Sequence, residues 1–203
     1  EFCLLYFLAD MLNLMTTQKT ISPVDGSVYV ERKLATPQQI EAALEKASRA
    51  QLEWRNLSVL ERADYCTHLI EYMISKTDDI ASELSWQMGR PIKYTPFEIK
   101  RGFAERSSHM IAIAEKALAD IAVEPKEGFT RFIRREPLGV VFTVAPWNYP
   151  YLTSVNSIIP ALMAGNTVIL KHASQTPLCA ERYAEAAKAV GMPEGVFQYL
   201  HLT

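Results

Sequence analysis

Apolar positions change their period twice along this chain. Between residues 36 and 119 they recur at helical spacing; after 137 they come as short continuous runs separated by helical stretches. Thr36-Pro37-Gln38-Gln39 predicts a helix start, with an N-cap, a proline in the first turn and a capping-box glutamine. Ile40, Ala43, Leu44, Ala47 and Trp54 then form one apolar face. Ser58-Val59-Leu60-Glu61 is a second capping box, and Leu60, Ala63, Leu69, Ile70 and Met73 continue its stripe. A third helix is expected over 78–88, stopped by Gly89-Arg90-Pro91, and Thr95-Pro96-Phe97-Glu98 opens a fourth that runs to about Ala119. Ahead of these, Ser22-Pro23-Val24-Asp25-Gly26 reads as a turn before a strand at 27–32.

After Asp120 the pattern favours two extended segments, 121–124 and 129–135, around a Lys126-Glu127-Gly128 turn. Such a projecting hairpin needs a partner to cover it. From Pro137 the order is strand, helix, strand, helix, strand, at 139–145, 152–164, 167–171, 177–190 and 195–200, with Gly165-Asn166 and Gly191 stopping the helices. The fold class is therefore α/β: N-terminal helices, an extended hairpin, and the first βαβαβ half of a doubly wound parallel sheet. The expected division is 1–14 as an extension of unknown role, 15–120 helical, 121–136 the hairpin and 137–203 the half-sheet. With its third strand so close to residue 203, that sheet is expected to keep an exposed edge and to lack its second half.

Composition narrows the function only by exclusion. The 203 residues are 49% hydrophobic and 22% charged, enough to bury a core. A net charge of -2 gives no reason to expect nucleic acid; Arg131, Arg134 and Arg135 are the one basic cluster, read as a solvated or subunit-facing strand. Cys3, Cys66 and Cys179 are widely spaced, which suggests a reduced, cytoplasmic chain without disulfides or a zinc site. No apolar run reaches the ~18 residues of a membrane span. Residues 1–14 are apolar but make a poor signal peptide, and Met15-Thr16-Thr17-Gln18 reads like a natural beginning.

Candidate chemistry gathers at strand ends, where open α/β sheets bind ligands. Val144-Ala145-Pro146-Trp147-Asn148-Tyr149-Pro150 follows the first strand of the half-sheet. The Asn148 amide donates two hydrogen bonds without carrying charge, so it suits a developing oxyanion; the plainer reading is a turn residue capping the next helix. Lys171 ends the second strand, where a dinucleotide ribose would lie, or else is an ordinary snorkelling lysine. Ser174 follows in a loop leading to a helix N-terminus that can favour anions, and His172 reads as a loop residue. No G-x-G-x-x-G follows any strand, and no serine elbow, P-loop or HExxH occurs. Cys66 and Cys179 sit on helices without an activating neighbour and read as structural thiols.

Together these segments resemble the NAD(P)-dependent aldehyde dehydrogenases, from about Ser22 to Thr203. The resemblance is carried by P-W-N-Y-P, A-L-x-A-G-N-T-V-I-L-K, Q-T-P and G-x-P-x-G-V-F in order and spacing. It implies oxidation of an aldehyde, with semialdehydes suggested by overall similarity, through a cysteine thiohemiacetal. It also implies NAD or NADP as cofactor and a homodimer or homotetramer assembled through the hairpin. Asn148 matches the oxyanion asparagine, and Lys171 the adenosine-ribose lysine. Val144, Ala145, Pro146 and Trp147 match the segment against the cofactor, while Tyr149, Thr153 and Asn156 fall along the substrate tunnel. Ser174 stands where NAD-preferring members often carry a glutamate, so NADP is expected to be tolerated. The family's glycine motif, glutamate and cysteine nucleophile fall beyond Thr203, so the 203-residue chain alone is expected not to oxidise aldehydes. The competing reading is a non-catalytic fragment that binds a nucleotide or a partner chain; an acylating relative fits less well.

Overall fold

The computed structural model describes residues 16–203. Segment 1–14 with Cys3, and Met15, lie outside the described residues. Strand β1 (Thr17–Ile21) pairs antiparallel with β2 (Val28–Lys33). The sequence pattern reveals only the second of these, because β1 is mostly polar and lacks an apolar run.

The expected caps form. In α1 (Pro37–Trp54) the Thr36 side chain accepts from the Gln39 N–H, and the Gln39 side chain accepts from the Thr36 N–H. Ser58 and Glu61 repeat the arrangement at α2 (Val59–Ser75). The buried faces differ from expectation. Leu44 is 41% exposed, and the inward side of α1 is Ala43, Ala47, Gln51 and Trp54. Small residues let this helix lie close to the sheet: a Cβ on Gly195 would stand 2.8 Å from the Lys46 carbonyl oxygen. Leu60 is 67% exposed, while Arg62, two residues on and on the opposite side of the helix, is buried. Helix α3 (Thr77–Met88) ends at Gly89, whose φ of 75° is left-handed.

The fourth helix begins as a π-helical segment (Glu98–Phe103) and continues as α4 (Ala104–Leu118). Thr95 does not cap it; its hydroxyl donates to the Ile92 carbonyl at 3.0 Å. The hairpin has shorter strands than its sequence suggests: β3 (Ile121–Ala122) and β4 (Phe132–Ile133) contribute two residues each. Phe129, Phe132 and Ile133 are exposed. Arg134 binds both Asp120 oxygens, and Arg135 donates to the Ala119 carbonyl.

Parallel strands β5 (Val140–Ala145), β6 (Thr167–His172) and β7 (Phe197–Tyr199) lie in the order β5-β6-β7, linked by α5 (Pro150–Met163) and α6 (Leu178–Ala189). Central β6 is buried except for half-buried Lys171. Val168 and Leu170 belong to the main core with Ile158, Leu162 and Tyr183, while Ile169 packs with Ala43 and Ala47 of α1. On β5, Thr143 and Ala145 are buried, but Phe142 and Val144 are 54% and 65% exposed, because α1 reaches no further than Val140. In a doubly wound sheet the second half joins beside the first strand, so this bare β5 edge is where further strands fit.

Helix α5, which carries the candidate site, is satisfied at both ends by distant side chains. The Arg62 guanidinium, the Trp54 indole and the Gln51 amide donate to the carbonyls of Met163, Leu162 and Gly165. Positive charge there also suits the helix dipole.

A second long-range clasp joins β2, α6 and the last residues. Arg32 binds both Glu181 oxygens (2.7 and 3.0 Å), and His201 lies 3.1 Å from one of them. Burial alone would raise the Glu181 carboxyl, but the His201 and Arg32 hydrogen bonds outweigh it and hold the group down to about 2. A carboxylate depressed in the folded state stabilises above its unfolded pKa and loses that stability as pH falls toward the folded one. Between about pH 4.5 and 2 the parent chain should therefore lose more stability than Glu181→Gln. Denaturant midpoints measured across that range check this; parallel curves would contradict it.

Candidate functional site

The Asn148 turn sits at the carboxyl end of β5, directly before α5. Its Oδ1 accepts from the Tyr149 N–H at 3.0 Å, which assigns the oxygen and leaves the NH2 group without an acceptor among the described residues. The side chain is exposed. It does not cap α5: Tyr149 is the N-cap residue and no side-chain cap bond forms there. The cap comes from elsewhere. Oε1 of Glu98 accepts from the N–H groups of Tyr151 (2.9 Å) and Leu152 (3.3 Å), a carboxylate at the positive end of the helix. The other Glu98 oxygen pairs with Arg90, whose second nitrogen donates to the Asn148 carbonyl at 2.5 Å. The same guanidinium lies 4.7 Å from the centre of the Tyr149 ring. Arg90 and Glu98 thus tie the turn to the start of α5. Sequence reasoning reads them only as helix punctuation, because the backbone groups they hold lie more than fifty residues away.

At β6, Lys171 stands beside Val144 in register. Side chains alternate along a strand, so both share the Ile169 face, while Ala145 is turned into the core and can offer a ligand only its backbone. The Lys171 ammonium has no partner among the described residues. His172 is the last residue of β6 and buried, which corrects its reading as a loop residue. Its Nδ1 accepts from the Ala173 N–H, so the proton belongs on Nε2, 3.4 Å from the Pro150 carbonyl. Burial holds this imidazole down to about 4, so it is neutral at pH 7 and binds the end of β6 to the start of α5.

Ser174 is exposed, and its carbonyl accepts from the Thr20 hydroxyl at 2.7 Å. Gln175 reaches the carbonyls of Ile21 and Gln87. The β1–β2 hairpin thus supports the 171–176 loop, a relation no local pattern could reveal. The next helix is less open to anions than expected, since the Leu178 N–H already donates to Gln87 Oε1. With Glu98 on α5, neither helix offers a free N-terminus to a phosphate. That fits the missing glycine fingerprint. Ile21, Ser22, Met88, Trp147 and Gln175 line a cleft of about 470 Å3 between turn and loop.

Tyr149, Thr153 and Asn156 are exposed at spacings of four and three, hence on one side of the α5 start. Asn156 is engaged: its Oδ1 accepts from Arg106 Nη1 at 3.2 Å and its Nδ2 donates to the Leu152 carbonyl. Cys66 and Cys179 are fully buried. Burial pushes the Cys66 thiol up to about 12 and Cys179 well above its usual range, so neither supplies a thiolate at neutral pH. No cluster of three metal-ligating side chains occurs among the described residues. No described helix is long and apolar enough to cross a membrane.

The model of the aldehyde dehydrogenase family matches residues 13–203. A succinate-semialdehyde dehydrogenase [NADP(+)] of Mycobacterium tuberculosis is 32% identical over 185 residues, which are 89% of this chain and 40% of that protein. The structure of PnpE in complex with nicotinamide adenine dinucleotide superposes with a TM-score of 0.86 at 29% identity, covering 92% of this chain and 38% of that one. An NADP-dependent glyceraldehyde-3-phosphate dehydrogenase from Bacillus halodurans, complexed with NADP, gives 0.84 at 26% identity, covering 92% and 40%. The chain spans about 40% of the length of the relatives it matches.

Proposed function

The chain belongs to the aldehyde dehydrogenase family, and on that premise we propose that it supplies the cofactor-side and oxyanion-side parts of an NAD(P)-dependent oxidation of an aldehyde, of the semialdehyde kind, to the carboxylic acid. The Asn148 amide carries this reading. Its acceptor side is used within the turn, its donor side is left over among the described residues, and Arg90 and Glu98 fix the turn that holds it. A preorganised neutral donor of this kind stabilises the oxyanion formed when a thiolate attacks a carbonyl. The thiolate is assigned outside the described residues, because Cys66 and Cys179 are buried and protonated. The carboxylate that activates water is assigned there too. Tyr149, Thr153 and Asn156 line the approach of the aldehyde in this reading.

The residues of the 171–176 loop fit a nicotinamide dinucleotide. Lys171 brings an ammonium without a partner among the described residues, Ser174 brings an exposed hydroxyl, and the loop holds no carboxylate. Val144, Ala145, Pro146 and Trp147 supply the neighbouring surface. When bound, the cofactor accepts the hydride. The exposed apolar side chains of the β3–β4 hairpin suit burial against a second subunit, in a homodimer or homotetramer. The two buried free thiols suit a reducing, cytoplasmic setting.

Calorimetric titration of the chain with NAD and NADP tests the cofactor reading. Both should bind. Ser174→Glu should weaken NADP by about tenfold or more, through repulsion of the 2′-phosphate, and leave NAD nearly unchanged. Binding of neither cofactor would remove the proposed site, and strict NAD selectivity in the parent would remove the role of Ser174. The same chain mixed with NADP and an aldehyde should form no NADPH.

A further inference from the structure

Two parts of the proposed site meet at one buried imidazole. Val168, Leu170 and His172 alternate along β6 on the side that packs against α5, whereas Lys171 points to the other face. His172 is 3% exposed. A neutral imidazole offers one acceptor and one donor, and here each serves a different element. Nδ1 faces the loop: it accepts from the Ala173 N–H at 3.0 Å and lies 3.1 Å from the Thr176 hydroxyl. Thr176 is itself fully buried, and its N–H donates to the Ala173 carbonyl. Nε2 faces the helix, 3.4 Å from the Pro150 carbonyl. That carbonyl is also held from α6: it accepts from Ser154 Oγ at 2.6 Å, which lies 2.9 Å from the Tyr183 hydroxyl. Burial, and then Lys171 and His201, oppose protonation of the ring, and no carboxylate bonds to it among the described residues.

We propose that His172 is a positioning residue that couples the cofactor loop to the Asn148 turn: the adenosine end of the dinucleotide, by ordering residues 171–176, also fixes the amide of Asn148. The proposal rests on the preceding assignment of Lys171 and Ser174 to the cofactor and of Asn148 to the oxyanion. The turn that carries Asn148 runs from Ala145 to Pro150, and His172 stands at both of its ends. It pairs with Ala145 in the β5–β6 register and reaches the Pro150 carbonyl through Nε2. The loop is held from two sides, by Thr20 at the Ser174 carbonyl and by His172 at Ala173 and Thr176. A ligand on Lys171 and Ser174 therefore orders a segment whose inner contact is this ring. The ring is rigid, so whatever fixes Nδ1 fixes Nε2 as well. A fully bonded buried network of this kind transmits position, because none of its members can move without losing a partner.

The probe is adenosine 2′,5′-bisphosphate, which carries the adenosine end and 2′-phosphate of NADP and has no nicotinamide to touch Asn148. On the isotope-labelled chain it should shift the side-chain NH2 signals of Asn148. The His172 ring nitrogens should report a neutral imidazole with its proton on Nε2, and should also move on binding. Asparagine keeps an acceptor near the place of Nδ1 and falls short of Pro150; glutamine reaches Pro150 and loses that acceptor. His172→Asn should therefore bind the probe within about twofold of the parent and lose the Asn148 response. His172→Gln should weaken the probe by about tenfold and, at saturation, keep the response. A histidine that only stabilises the fold gives no such split. Three results would overturn the coupling while leaving the cofactor reading in place: an Asn148 response that survives in His172→Asn, no response of Asn148 or of the His172 nitrogens in the parent, or NADP binding without binding of the probe. Binding of neither NADP nor the probe would remove the cofactor reading and this inference together.

Discussion

Asn148→Ala, in a catalytically complete protein carrying this segment, should lower kcat by about 100- to 1000-fold, or ~3 to 4 kcal/mol of transition-state stabilisation. KM should change little, because the interaction strengthens only when the carbonyl oxygen gains charge. The structure gives the prediction its form. Oδ1 is committed to the Tyr149 N–H, so the substitution removes an otherwise unused donor group without exposing a buried partner. The residue is exposed, so folding should be affected by well under 1 kcal/mol. Asn148→Asp should be at least as damaging to kcat, since it places a carboxylate where the oxyanion forms. Steady-state kinetics and a denaturation curve on each variant decide the matter. A kcat within about threefold of the parent would leave Asn148 as a turn residue only.

Glu98→Ala should be the most destabilising single change near the site, by about 3 kcal/mol. The Glu98 side chain is 1% exposed and that of Arg90 16%, so removing the carboxylate leaves a poorly solvated cation. It also strips the acceptor from the Tyr151 and Leu152 N–H groups at the positive end of α5. Glu98→Gln, which keeps one oxygen for those N–H groups, should cost clearly less. The two variants therefore separate the cap from the charge. Amide exchange at Tyr151 should accelerate in the alanine variant. Thr36→Ala is a useful scale, because it removes an ordinary exposed N-cap worth about 1 kcal/mol. A Glu98→Ala loss no greater than that of Thr36→Ala would mean that Arg90 and α5 find other partners.

Features specified within a few residues are legible in the chain. Thr36 with Gln39, and Ser58 with Glu61, hold both halves of a capping box within one turn, and both helices start there. Thr167-Val168-Ile169-Leu170 is a continuous apolar run because β6 is covered on both faces, and that marks it as the central strand. The order of strands and helices after Pro137, the placement of Asn148 and Lys171 at strand ends, and the family resemblance all follow from such local signals. The misses share one cause. Leu60 looks apolar enough to be buried, but Arg62 is drawn inward by the Met163 and Leu57 carbonyls. Polar β1 becomes a strand because β2 pairs with it, and Thr20 then supports the loop of Ser174. Glu98 reads as the opening of its own helix and instead caps α5. The amino-acid order alone determined the helices, the strands with apolar runs and which residue types reach the carboxyl edge of the sheet. Tertiary structure alone decided which of them are held ready: the Asn148 NH2 group and the Lys171 ammonium, neither of which meets a partner among the described residues. Periodicity and capping are local properties of the backbone, whereas satisfying a buried charge or a helix end depends on partners that only folding brings within hydrogen-bond distance.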